Sequence, residues 1–270
     1  MSEPVEKKVT YSIDELFKDA STIADNKGIQ CMLWGASGVG KTYAALTFPD
    51  PIYVIDTDGG VTSNLRYFKD KKIKLFECFE AVTDAPVNAK GEEMDEPFDV
   101  DPLISLEKFD MVTKSLIKGD ITSGTVVIDT ITDIWSWIGT WLNHKSQKLT
   151  AKSGTEYMSR FAWGDANNRY DWIMKRLKQL NCNLVLLARS KAIYDDKGNL
   201  TAGSKPDAQK RTEYYMDYFI ELKKKYSTNA GLTKFERTAT ITKSRGLDLT
   251  DPIMKDFNYT KLNELIQKSH

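Results

Sequence analysis

Neither sign of charge is in excess in this 270-residue chain: 38 Lys and Arg face 38 Asp and Glu. Without a global basic field, a histone-like coat is excluded, and any contact with nucleic acid must come from a local patch. Cysteine is scarce. Cys31, Cys78 and Cys182 each sit in an apolar, strand-like run and no two share metal-ligand spacing. That excludes a disulfide framework and a thiolate metal site, and leaves reduced, buried thiols. Residues 1–10 lack the apolar segment of a signal peptide, and no apolar run reaches the ~18 residues of a membrane span. The expectation is a cytoplasmic protein with no membrane partner. Internal repeats and a convincing linker are also missing, which points to one main domain.

What is present is a regular alternation. Hydrophobic residues make up 41% of the chain, enough for a sizeable core. Residues 1–10 read as a tail, and 12–25 as a helix with Ile13, Leu16, Phe17, Ala20, Ile23 and Ala24 on one face. Ser12 and Glu15 form a capping box at its start. Apolar runs at 29–34, 52–55, 73–79, 125–128 and 184–188 read as strands. The β-branched run at 125–128 has the look of a strand buried on both faces of a parallel sheet.

Helical patterns follow at about 41, at 103–117 (stopped by Gly119), through Trp135, Trp137 and Trp141, and at 163–180. The tryptophans are read as packing residues. Segments 148–160 and 190–212 are polar and read as loops, and 84–102 as an acidic, proline-bearing excursion. Residues 218–225 and 237–242 alternate like paired strands. The predicted fold class is α/β, a largely parallel sheet with helices on both faces and a C-terminal antiparallel extension. Residues 1–28 are assigned to the tail and first helix, 29–250 to the main domain, and 251–270 to a C-terminal helix.

One stretch carries chemistry outright. Gly35-Ala36-Ser37-Gly38-Val39-Gly40-Lys41-Thr42 matches G-x-x-x-x-G-K-[ST] in full. Average composition produces that pattern by chance in roughly one chain of this length in a hundred. Here it also follows a strand and opens a helix. The glycines let successive backbone N–H groups point at phosphates, and the helix presents its positive end to the same anions. Lys41 should reach the β and γ phosphates of ATP, and Thr42 should ligate Mg2+. No Asn-Lys-x-Asp base-recognition run is present, which favours ATP over GTP. No short arginine-rich lid is present either, which disfavours a small-molecule kinase.

The metal needs a second oxygen ligand. Asp129, ending the 125–128 strand, is the candidate, because parallel strands adjoining the P-loop strand deliver their C-terminal ends to the ligand edge. Asp56, ending the 52–55 strand, is the rival. Asp58, in the run Asp56-Thr57-Asp58-Gly59-Gly60, is read as the general base for the attacking water. The plainer alternative for that run is a polar turn with capping aspartates.

Strand, P-loop, helix and an apolar strand ending Ile55-Asp56-Thr57-Asp58-Gly59 resemble the core of the RecA and RadA recombinases. The resemblance covers about 29–250, and the chain is similar to phage-encoded RecA-like proteins of single-strand annealing. In RecA the strand after the P-loop helix ends in a glutamate that acts on the water; Asp58 stands there, one methylene shorter, implying slow hydrolysis or a shifted water. The resemblance implies that Arg189 (or Ser190) senses the γ-phosphate. It implies that Lys243 and Arg245, of Lys243-Ser244-Arg245, enter a neighbouring subunit's ATP site, so that the protein assembles as a ring or filament. It also places DNA-binding loops at 148–160 and 190–212. Lys148 and Lys152, and Lys191, Lys205, Lys210 and Arg211 with Tyr194 nearby, suit a sequence-blind site for single-stranded DNA. A single-strand-binding protein is a further implied partner, and the host cytoplasm the location if the chain is phage-encoded. Phe17 and Ala20 spell the F-x-x-A docking pattern of RadA-like proteins, but on an amphipathic helix they are more simply core-facing.

Overall fold

The computed structural model describes residues 28–81, 100–119, 121–146, 149–150, 156–229, 232–246 and 253–268. The helix expected at 12–25, most of the acidic excursion, and Lys148 and Lys152 lie outside the described residues.

Strand β1 (Gln30–Gly35) leads through the glycine-rich loop into α1 (Lys41–Ala45). Then follow β2 (Ile52–Asp56), α2 (Thr62–Leu65), β3 (Ile73–Glu77), α3 (Pro102–Lys118), β4 (Thr125–Asp129) and α4 (Ile131–Lys145). A two-residue hairpin, β5 (Leu149–Thr150) and β6 (Glu156–Tyr157), precedes α5 (Arg160–Leu177). The remaining elements are β7 (Asn183–Tyr194), β8 (Leu200–Pro206), α6 (Thr212–Tyr215), β9 (Tyr218–Asn229), β10 (Leu232–Ser244), β11 (Ile253–Lys255) and α7 (Tyr259–Lys268).

The main sheet runs β11-β10-β9-β1-β7-β4-β2-β3, with β8 paired to β7. Every pair from β9 to β3 is parallel, and β10 and β11 join antiparallel. This is the expected mostly parallel α/β sheet with an antiparallel C-terminal group. One neighbour differs from expectation: β7 lies between β1 and β4, so the Asp129 strand does not adjoin the P-loop strand. Because all three run parallel, Asp129 still emerges at the same edge as the loop.

Period-two alternation sorts β1 between two cores. Met32 and Trp34 face one core, with Ile134, Trp137, Tyr170 and Ile173 of α4 and α5 and Phe109 of α3. Cys31 and Leu33 face the other, with Ala44, Leu46 and Phe48 around α1 and Leu262 of α7. All three cysteines are buried and free. The caps are local. Asp101 accepts hydrogen bonds from the N–H groups of Leu103 and Ile104 to start α3, and Ser159 accepts one from Ala162 to start α5.

Two further segments depart from the sequence reading. Most of the 190–212 segment is a β-hairpin, not a loop: β7 continues to Tyr194 and β8 returns along it to Pro206. Its residues are mostly exposed, so no apolar face marks it in the sequence. Residues 253–268 hold β11 as well as a helix. Tyr259 packs against Phe48 at 5.1 Å and its N–H donates to Thr47 Oγ1 at 2.9 Å, so this segment belongs to the core beneath the P-loop helix. Among the described residues, no helix is long and apolar enough to cross a membrane.

Candidate nucleotide site

The P-loop forms because β1 must turn sharply over the sheet edge. A Cβ on Gly35, whose φ is 154°, would lie 2.4 Å from the carbonyl oxygen of Leu222, so only glycine passes between β1 and β9 there. Gly40 caps α1 at φ 100°. Val39 turns its side chain into the core, while Ala36, Ser37, Gly38, Gly40, Lys41 and Thr42 line a cavity of about 860 Å³ at the C-terminal ends of the parallel strands. Gly35 and Val39 therefore shape the loop from beneath the cavity.

The Lys41 ammonium donates to the carbonyls of Gly35 and Ala36, each at 2.9 Å. Burial holds it below the ordinary lysine range, with Asp129 pulling the other way. The Thr42 hydroxyl donates to Asp129 Oδ2 at 2.7 Å. Asp129 is only 4% exposed, and burial pushes its carboxyl up to about 7 despite that bond. A buried carboxylate short of positive charge, beside a hydroxyl, fits Mg2+, a hard cation that takes oxygen ligands and usually needs only one or two protein carboxylates. Among the described residues no group of three His, Cys, Asp or Glu could hold a metal alone, so phosphate and water oxygens would complete the shell.

Asp56 is not part of this pair. Its carboxylate accepts from the backbone N–H groups of Asp58 (3.2 Å), Gly59 (2.9 Å) and Val61 (3.1 Å). It builds the turn after β2, where burial raises its carboxyl above the usual range. Asp58 leaves that turn and lines the cavity, half-exposed, with Oδ2 2.9 Å from Arg189 Nη2. Arg189, the first exposed residue after the buried part of β7, also reaches both oxygens of Asp133, at 2.8 and 3.1 Å. Burial disfavours its charge, yet Asp133 and Asp58 together raise its pKa. Asp133 is held in turn by the hydroxyls of Thr57 (2.7 Å) and Thr130 (3.0 Å). The Asp129–Thr130 peptide is cis.

The sequence reading missed several of these groups. Asp133 and Thr57 orient Arg189, and Tyr43, Arg66, Tyr67 and Arg237 line the cavity. Tyr43 meets Tyr67 edge-on at 6.1 Å and Phe68 at 5.0 Å, an aromatic wall beside the loop. Asp133 lies in the first turn of the helix that follows the Asp129 strand, which was the available signal; Arg237 gave none.

Other expected groups stand apart. Lys243 pairs in register with Phe219, itself level with Met32 and three residues short of Gly35. Its ammonium is bound to the carbonyls of Glu213 and Met216, and Arg245 is bound to Asp217 at 3.0 Å and the Tyr214 carbonyl at 3.3 Å. Neither lines the cavity. On the β7–β8 side, Lys191 is paired with Asp207 at 2.6 Å and Arg211 with Asp171. Lys205 and Lys210 border a groove of about 350 Å³ beside Phe219, with no ion pair among the described residues.

A family model described as "AAA domain" matches residues 27–248, from just before β1 through β10. No curated protein matches the chain. The family implies nucleotide binding, usually with Mg2+. With loop, hydroxyl and carboxylate assembled at one edge of a parallel sheet, and the match spanning most of its length, the chain belongs to the AAA domain family and carries an AAA-type P-loop ATPase domain.

Proposed function

We propose that the chain binds ATP at residues 35–42 and hydrolyses it, with turnover coupled to single-stranded DNA in annealing or strand pairing. The observation that carries the ATPase part is the Thr42–Asp129 contact within the P-loop cavity. In this reading Lys41 leaves its loop carbonyls for the β and γ phosphates, and α1 offers its N-terminal N–H groups to the same chain of anions. Thr42 and Asp129 hold Mg2+, which when bound neutralises charge on those phosphates. Asp58 accepts the proton of the attacking water. Its Oδ2 is engaged by Arg189 in the ligand-free geometry. A γ-phosphate reaching Arg189 competes for that guanidinium and frees the carboxylate, so the base becomes available when substrate is in place.

The DNA part rests on the RecA-like order of motifs and on Lys205 and Lys210 beside Phe219, with exposed Tyr194 further out towards the tip of the β7–β8 hairpin. Lys191 and Arg211 contribute less, since their charges are matched by Asp207 and Asp171. Lys148 and Lys152 add cations on the other segment. Self-assembly into a ring or filament places Lys243 and Arg245 at a neighbour's phosphates, provided they exchange their own-chain partners. A single-strand-binding protein is a fitting companion, and the cytoplasm the fitting location.

Phosphate release measured with and without oligo-dT tests the coupling, with stimulation by DNA as the expected result. Indifference to DNA would favour a protein-client ATPase, a reading supported by the almost fully exposed Phe161 and the half-exposed Trp163 and Trp172 on α5.

A further inference from the structure

Arg237 lines the cavity without a carboxylate partner among the described residues. It stands on β10 opposite Lys224, three residues nearer the phosphate edge than the Thr240–Glu221 pair, and Glu221 is level with Trp34 of β1. Its side chain lies against the P-loop: a Cβ built on Gly40 would be 3.4 Å from Nε and 3.6 Å from Cδ. The guanidinium therefore packs in van der Waals reach of the loop at Gly40. Arg237 also borders a second cavity of about 320 Å³ that shares Gly40 and Tyr43 with the first and is closed by Asp256, Phe257 and Asn258.

The guanidinium is held in place, with its Nε–H left unpartnered. Its Cζ sits 4.8 Å from the centre of the Phe235 ring, and the Arg237 carbonyl is tied to the N–H of Asp256 at 3.0 Å. Yet Nε is buried with no hydrogen-bond partner, and no ion pair to Arg237 exists among the described residues. Arg189 across the same cavity has two carboxylates. A buried N–H of a charged group without an acceptor is costly, and a site that keeps one beside an anion-binding loop is completed by an anion.

The side of approach decides which part of the anion. Asp58 and Arg189 come from β2 and β7, on one flank of β1. Arg237 comes from β10, on the other flank. The hydrolysed end of the triphosphate faces the first flank, so the second meets the part nearer the nucleoside. We infer that Arg237 binds the α- and β-phosphates of the nucleotide in cis, through contacts common to ATP and ADP. This rests on the proposed placement of the nucleotide at the P-loop.

The test is calorimetric titration of Mg·ATP and Mg·ADP into wild type, Arg237→Gln and Arg237→Lys, with thermal melting of each ligand-free protein. For Arg237→Gln the expected result is a loss of ~10–100-fold in affinity for both nucleotides, the size of one charge-assisted contact. Arg237→Lys should recover part of it, since charge survives while the fork is lost. ADP affinity within twofold of wild type in both folded variants would overturn the inference. So would loss of ATP binding alone, which would move Arg237 to the γ-phosphate. A lowered melting temperature with ADP affinity intact would make it a packing residue on Phe235 and also overturn it. If Arg237→Gln does not fold, the Lys variant decides, with at least a severalfold loss for both nucleotides expected. Absence of binding to the wild type would instead sink the P-loop placement itself.

Discussion

The Thr42 hydroxyl donates a 2.7 Å hydrogen bond to Asp129, a residue 87 positions further along the chain. The contact joins the first turn of α1 to the end of β4 across the intervening β7. It brings together the two oxygen groups proposed above as the protein's ligands to Mg2+.

Separating that pair should abolish metal-dependent turnover while leaving the loop intact. Asp129→Asn keeps the shape and removes the charge. ATP hydrolysis is expected to fall by ~100-fold or more, on the scale of losing a transition-state charge stabiliser. Nucleotide affinity in EDTA should stay near wild type. Phosphate release across a Mg2+ titration checks this, and an unchanged metal dependence would remove Asp129 from the site.

Asp58 should separate binding from chemistry. Asp58→Asn cannot accept the proton of water, so turnover should drop ~10²–10⁴-fold, the usual worth of a general base. Binding of ATP should survive, since Arg189 is then contested only by Asp133. Steady-state kinetics with a parallel binding titration reads both numbers. Undiminished turnover would return Asp58 to the role of a turn residue.

The C-terminal segment is a structural support of the P-loop helix. Leu262 is fully buried in the core beneath α1, so Leu262→Ala should cost ~2–5 kcal/mol. For a domain of this size that lowers Tm by roughly 2–4 °C per kcal/mol. Thermal melting followed by circular dichroism measures it. A shift near zero would show that α7 contributes little to the fold.

DNA contact through the β7–β8 face is testable by salt. Replacing Lys205 and Lys210 with Glu should weaken oligo-dT binding and flatten the plot of log affinity against log salt by ~0.7 per lost phosphate contact. Lys191→Ala should matter less, because Asp207 already neutralises it. Fluorescence anisotropy at several salt concentrations distinguishes them. An unaltered slope in the double variant would place DNA elsewhere.

The parts of the fold visible in the sequence are those whose signals are local. The apolar runs of β1, β2, β4 and β7, the Gly119 that ends α3, and the loop from Gly35 to Thr42 depend on neighbours in the chain alone. Asp129 was legible for the same reason, as the polar residue closing an apolar strand, and Asp58 as part of the polar run directly after β2. The β7–β8 hairpin was not, because exposed residues on both of its faces erase the alternation that burial imposes. Three-residue β11 is too short to carry a period. Arg237 reaches the cavity from β10 only once the sheet has ordered its strands, and Arg189 acquires its two carboxylate partners, Asp58 and Asp133, from different elements in the same way. Convergence of this kind is a property of topology, and a single sequence does not display it.

The central claim is that residues 35–42 close around a triphosphate. Isothermal titration of Mg·ATP into folded wild type and Lys41→Ala tests it most directly. One ATP bound per wild-type chain, with binding lost in Lys41→Ala, is the predicted result. No detectable uptake by the folded wild-type protein, or equal uptake by the variant, would contradict it.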